Sequence, residues 1–210
     1  PTRNIALELV RVTEAAALAS GRWLGKGDKN KADKAAVDAM RIVLNQLAIE
    51  GQIVIGEGEK DEAPMLFNGE KLGAGGPAFD IAVDPIDGTT LTAYGRDNAI
   101  SVIALSEKGT MFDPGPIMYM EKIAVGPRAV GCIDLDASVE TNLKNIAIAT
   151  SCRINDLTVV ILDRPRHEKL IQEVRESGAR IKLIQDGDVA GAIAASWDDS
   201  GTDVLMGIGG

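Results

Sequence analysis

From Leu157 onward, short apolar runs alternate with helix-forming stretches. LTVVILD (157–163) is a β-branched run, and RPRHEKLIQEVRESG (164–178) is helical in composition and closed by a glycine. ARIKLIQDGD (179–188) reads as a strand and loop, VAGAIAASW as a helix of small residues, and TDVLMGIGG as a strand ending in glycines. This β-α-β-α-β order constrains the fold more than any other feature. It implies a parallel sheet with helices on its faces, and hence the α/β class. MGIGG finishes a strand and resembles the start of a glycine turn into another helix. A parallel sheet left there would expose an edge, so further C-terminal sequence is expected.

The preceding residues are less regular. IALELVRVTEAAALASGRWL (5–24) is rich in Ala, Leu and Glu, and places Leu7, Val10, Glu14, Ala17 and Leu18 at helical spacing. GKGDKNKAD (25–33) is a polar connection. A second helix is expected from about Asp33 to Ile49, with Val37, Met40, Val43, Leu44 and Leu47 as its apolar stripe. Ile53–Ile55 reads as a strand ended by Gly56, KLGAGGP (71–77) as a glycine turn, and FDIAVDPIDGTT (79–90) as a strand and then a loop. AISVIALSEKG (99–109) reads as strand and turn, and 117–136 as one or two further strands. The polar stretch 137–156, which contains SVETNLKN, marks the expected boundary between a half comprising 1–140 and a second half comprising 141–210.

Composition narrows the function. Among 210 residues, 31 acids against 22 bases leave a net charge of −9. Nucleic acid and anionic membranes need a basic face, so neither is an expected partner. A phosphate substrate remains compatible, because a metal ion can supply positive charge. An apolar fraction of 45% suffices for a core, and no apolar run approaches the roughly 20 residues that span a bilayer. Cys132 and Cys152 form no CxxC, and His167 is the single histidine. A structural zinc site is therefore not expected, nor is a histidine-dependent triad unless His167 serves. Sparse cysteines and the lack of a signal-peptide pattern point to a cytoplasmic location.

Four acids stand at or just beyond the ends of predicted elements: Asp33, Glu57, Asp84 and Asp87. Ligands of open α/β sheets gather at the carboxyl ends of strands, and oxygen-only donors suit the hard ions Mg²⁺ and Mn²⁺. In DPIDGTT, Pro85 sets the turn and Gly88 allows close backbone approach. Asp84 and Asp87 can then share a pocket, with the Ile86 carbonyl as a further oxygen and the Thr89 hydroxyl placed to orient a metal-bound water. Two metals ~3.5–4 Å apart could clamp the attacking and leaving oxygens of an in-line displacement. Each feature also has a plain structural reading. Asp-Pro-x-Asp-Gly is a turn, Asp33 is a helix cap, and GEGEKDE is a solvated acidic loop.

DPIDGTT resembles the signature of the lithium-sensitive, metal-dependent phosphatase superfamily. ELVRVTEAAALASGRWLGKGDKNKAD, IVIGEGEKDEAPML, VDPIDGTT, MYMEKIAVGP, ILDRPRHEKLI, LIQDGDVAGAI and LMGIGG together resemble class II fructose-1,6-bisphosphatases of the GlpX type, from Leu7 to Gly210. The resemblance implies a sugar-phosphatase fold, a layered α-β-α-β-α sandwich of two α/β halves. It also implies Mg²⁺- or Mn²⁺-dependent hydrolysis of the C1 phosphate of fructose 1,6-bisphosphate in gluconeogenesis, by a homo-oligomer (dimer or tetramer).

Carried over by motif, Asp33 and Glu57 would hold one metal, and Asp84 and Asp87 the other, with Asp84 as a candidate bridge and Thr89 activating water. Asp87, Gly88, Thr89, Tyr119, Arg164, Pro165, Arg166, Asp186, Gly187, Asp188 and Gly210 would contact substrate. Arg164 and Arg166 would clamp the phosphate that is not cleaved. Here too structural alternatives stand. Tyr119 is a strand aromatic, Arg164–Arg166 is a solvated helix start, and Asp186–Asp188 is an N-cap. His167 is expected to be structural rather than catalytic. In the family, LMGIGG runs on into a PEG segment whose glutamate is a further metal ligand, and this chain stops before it. Alternative functions are a bifunctional fructose/sedoheptulose bisphosphatase, an inositol-phosphate phosphatase, and a non-catalytic metal- or phosphosugar-binding protein.

Overall fold

In the computed structural model, which describes residues 4–57, 66–117 and 119–210, helix α1 (Ile5–Gly21) starts where the Asn4 side chain accepts the Ala6 amide. Helix α2 (Lys29–Leu44) is capped by Asp28, which accepts the Lys31 amide at 3.0 Å. The two helices pack together through Val12, Ala16 and Ser20 of α1 and Ala32, Ala36, Val37 and Met40 of α2. This corrects the expected face of α1. Leu7, Val10 and Leu18 are 63%, 50% and 76% exposed, because the small residues a third of a turn away are the ones that let two helices approach closely. The stripe expected on α2 is buried at Val37, Met40, Leu44 and Leu47.

Strands β1 (Glu50–Ile55), β2 (Lys71–Leu72), β3 (Ala78–Asp87) and β4 (Ile100–Glu107) form a mixed sheet in the order β2-β1-β3-β4. β1 and β3 are parallel, and the other pairs antiparallel. Ile53 and Ile81 join Val12, Met40 and Leu44 in one core. DPID belongs to β3 rather than to a loop. The ladder with β4 pairs Asp84 with Val102 and then Asp87 with Ile100, and the shift between them passes over Pro85, so its missing N–H is not needed. Gly88 adopts φ +93, and helix α3 (Thr89–Ala93) follows at once.

A second sheet contains β5 (Met120–Val125), β6 (Thr158–Leu162), β7 (Arg180–Ile184) and β8 (Val204–Gly209), in the order β5-β8-β6-β7. As expected, β6, β7 and β8 are parallel. β8 is not an edge, since β5 pairs with it antiparallel. Helices α4 (Val139–Thr150), α5 (Glu168–Ser177) and α6 (Asp188–Ser196) complete the α/β pattern among the described residues.

The stretch 137–156, read from its polarity as a boundary, contains helix α4. Ser138 caps α4, and Leu143, Ile146 and Ala147 are buried. Asn142 is 2% exposed, with its amide bonded to the Asp134 backbone. The chain divides into two compact units, Pro1–Gly115 and Pro116–Gly210, ahead of the expected boundary near 140, because β5 belongs to the second sheet. Cys132 and Cys152 are free, and among the described residues no helix is long and apolar enough to cross a membrane.

Candidate functional site

Strand register brings the first acids together. Ile55 of β1 and Ala82 of β3 are partners in a parallel pair. Glu57 lies two residues beyond the one and Asp84 two beyond the other, so both carboxylates leave the same end of the sheet on neighbouring strands. The Glu57 amide is held by Leu66 O at 2.9 Å, and Gly56 passes so close to that carbonyl that a Cβ would lie 2.1 Å from it. Asp33 comes from α2, which packs against β3 and α3. It lies inside α2 rather than at its start, and Asp28 does the capping, so the cap reading of Asp33 does not hold.

The electrostatics record this crowding. The Glu57 carboxyl is pushed up to about 8 by burial, then by the charges of Asp33 and Asp84, and by a hydrogen bond with Asp84. Burial also raises Asp33. Asp84 accepts the Ile86 amide at 3.0 Å. Thr89 donates its hydroxyl proton to the Ile86 carbonyl at 3.2 Å, and Asp87 is 6% exposed between them in sequence. Among the described residues no three acidic, thiol or imidazole groups stand grouped so that they could hold a metal ion together. What is present is an all-oxygen set of converging acids that disfavours its own full ionisation, and this donor chemistry fits a hard divalent cation. Most of GEGEKDE lies outside the described residues.

The second unit repeats the principle with different chemistry. Strand β6 leads to Arg164–Arg166, β7 to Asp186–Asp188 and β8 to Gly210, all at the carboxyl ends of parallel strands. Met120 pairs with Gly209, so Tyr119 stands at the same end, just before β5. Tyr119 is 62% exposed and lies outside the strand, with the Arg166 guanidinium 5.3 Å from its ring centroid, so it is not a packed strand aromatic.

The two arginines take different partners. Arg164 donates to Asp163 O and lies 3.5 Å from Asp186, whereas Arg166 donates twice to Ile208 O, at 2.9 and 3.1 Å. A 3-10 turn over Pro165–His167 leads into α5, so the two arginines stand at a helix start. Gly187, at φ +84, occupies the N-cap position of α6, and Asp188 is the first residue of the helix. Asp188 lies over Gly209, where a Cβ would come 2.0 Å from its Oδ2.

Sequence reasoning missed Lys122, whose Nζ donates to Gly210 O at 2.8 Å. Its signal was a charged pair, Glu121–Lys122, inside an otherwise apolar strand. It also left unread the contacts of His167, described below.

Residues 3–210 match the family model described as bacterial fructose-1,6-bisphosphatase, glpX-encoded. Over 209 residues the chain is 56% identical to fructose-1,6-bisphosphatase 1 class 2 of Escherichia coli (strain K12). The same identity holds for the fructose-1,6-bisphosphatases class 2 of Escherichia coli O6:H1 and Shigella flexneri. These matches cover 99% of this chain and 62% of each relative. The chain therefore belongs to the glpX-encoded family of bacterial fructose-1,6-bisphosphatases.

Proposed function

We propose that this chain carries the metal-dependent hydrolysis of the C1 phosphate of fructose 1,6-bisphosphate, yielding fructose 6-phosphate and inorganic phosphate, as a cytoplasmic step of gluconeogenesis. The observation that carries the reading is the register-matched pair Glu57 and Asp84, joined by Asp33 and followed by the Thr89–Ile86 hydrogen bond. Family membership and the printed names of the relatives support the substrate.

Asp33, Glu57, Asp84, Asp87 and the Ile86 carbonyl would hold Mg²⁺ or Mn²⁺. A bound ion of this kind supplies Lewis acidity and lowers the pKa of water enough that no histidine base is needed. Thr89 spends its proton on Ile86 O, which leaves its oxygen free to accept from, and so orient, the attacking water. The Asp87-Gly88-Thr89 backbone touches the reacting phosphate. Tyr119, Arg164, Pro165, Arg166, Asp186, Gly187, Asp188 and Gly210 hold the sugar and its remaining phosphate, with the guanidiniums meeting the anion and the carboxylates meeting hydroxyls. The working form is a homo-oligomer, a dimer or tetramer.

The test is phosphate release from fructose 1,6-bisphosphate, sedoheptulose 1,7-bisphosphate and inositol 1-phosphate, side by side. It is run on this chain and on one extended to the length of its relatives. Preference for the fructose ester is expected. Preference for either other substrate reassigns the activity, and no release from any of them refutes it.

A further inference from the structure

His167 is 1% exposed, and both ring nitrogens are engaged. Nε2 accepts the Ile208 amide at 2.8 Å, and Nδ1 lies 2.8 Å from Leu162 O. A main-chain N–H can only donate, so Nε2 is bare and the proton sits on Nδ1, donated to Leu162. Leu162 ends β6, and Ile208 lies near the end of β8. The ladder between these strands runs only through Val159–Val204 and Val160–Leu205. Beyond it, the imidazole takes the place of the missing ladder and spans the two strand ends. Gly207, at φ +151, leaves room for the ring; a Cβ there would stand 3.1 Å from Nε2.

What His167 holds matters for the residues around it. The carbonyl of Ile208 receives both hydrogen bonds from Arg166, whose guanidinium then lies over Tyr119. Two residues on, Gly210 O receives Lys122. We propose that His167 is a positioning residue for phosphosugar recognition: by bridging Leu162 and Ile208 it sets the Arg166 guanidinium and the Gly210 backbone. This rests on the function proposed above. It goes beyond that reading by giving the single histidine a role in affinity rather than in proton transfer.

The test is calorimetric titration of fructose 6-phosphate with Mg²⁺ present, together with KM and kcat for fructose 1,6-bisphosphate. The variants are His167→Asn, His167→Gln and Gly207→Ala. Asn retains only a donor near the Nδ1 position, whereas the longer Gln can present an acceptor near the Nε2 position. His167→Asn is expected to weaken binding and raise KM about tenfold, the scale of an unpaired buried donor, with kcat changed far less. His167→Gln recovers most of that loss, and Gly207→Ala, which crowds an intact ring, reproduces part of it. If the unsubstituted chain binds the sugar phosphate and all three variants bind equally well, the positioning role is overturned. If the unsubstituted chain does not bind it, the functional reading fails, and this role falls with it.

Discussion

Glu57 and Asp84 meet in a hydrogen bond because their strands are parallel and a register shift between Ile53 and Ile55 leaves each acid two residues past the Ile55–Ala82 pair. A buried carboxyl pushed up by burial and by two neighbouring acids is costly to folding, and a binding site is a sufficient reason to keep it. Neutralising Glu57 should therefore separate stability from function. Glu57→Gln is expected to raise the melting temperature by about 2–4 °C in chelator and to lower metal-dependent turnover by about 100-fold or more. Thermal unfolding with EDTA and a phosphate-release assay check the two halves; a lower melting temperature contradicts the argument.

Thr89 is assigned to orienting water, so its loss should slow chemistry without emptying the site. Thr89→Ala is expected to reduce kcat by about 10²–10³, with KM and Mn²⁺ affinity within about threefold of the unsubstituted values. Thr89→Ser, which keeps the hydroxyl, should recover most of the rate. Unchanged turnover in the alanine variant removes Thr89 from the mechanism.

Asp80 provides the pH dependence. It is 2% exposed; burial opposes its ionisation, but hydrogen bonds from Lys108 and from the Gly109 and Met111 amides prevail and hold the carboxyl below its ordinary value of 3.8. A depressed folded-state pKa means stability that is present above 3.8 and lost as pH falls from there through the folded value. Asp80→Asn is expected to be less stable at pH 7, and the gap should shrink below about pH 4. Denaturant midpoints at a series of pH values read this directly, and a gap that is constant down to pH 2.5 contradicts it.

Gly56 is the hinge between β1 and Glu57. A Cβ there would lie 2.1 Å from Leu66 O and 2.7 Å from Ile53 Cγ2, so backbone must move. Gly56→Ala is expected to destabilise the chain by about 1–3 kcal/mol and to weaken Mn²⁺ binding through displacement of Glu57. Urea unfolding and metal titration measure the two effects, and unchanged metal affinity would show that the hinge does not position Glu57.

Much of this was legible where local pattern and tertiary context agree. The parallel order of β6, β7 and β8 follows from alternation along the chain, and Glu57 was legible from its place just past β1, whereas Asp33 lies inside α2 and Asp84 inside β3. Three features were not legible. The buried face of α1 is set by Val12, Ala16 and Ser20, and small residues give a weaker apolar signal than Leu7 or Leu18 even though they decide how closely helices pack. Helix α4 hid behind Ser138, Asn142 and Thr141, whose polarity serves capping and a buried amide network rather than solvent. Pro85 read as a loop because a ladder that skips Pro85 and Ile86 cannot be seen from the strand alone.

The central claim is that converging acids in the first unit hold a divalent cation for phosphate release. Its most direct test is release of phosphate from fructose 1,6-bisphosphate with Mn²⁺, with EDTA, and with Mn²⁺ on the Asp84→Asn variant, in the chain extended to the length of its relatives. The account predicts activity only in the first case. Equal activity in EDTA, or in the variant, would contradict it.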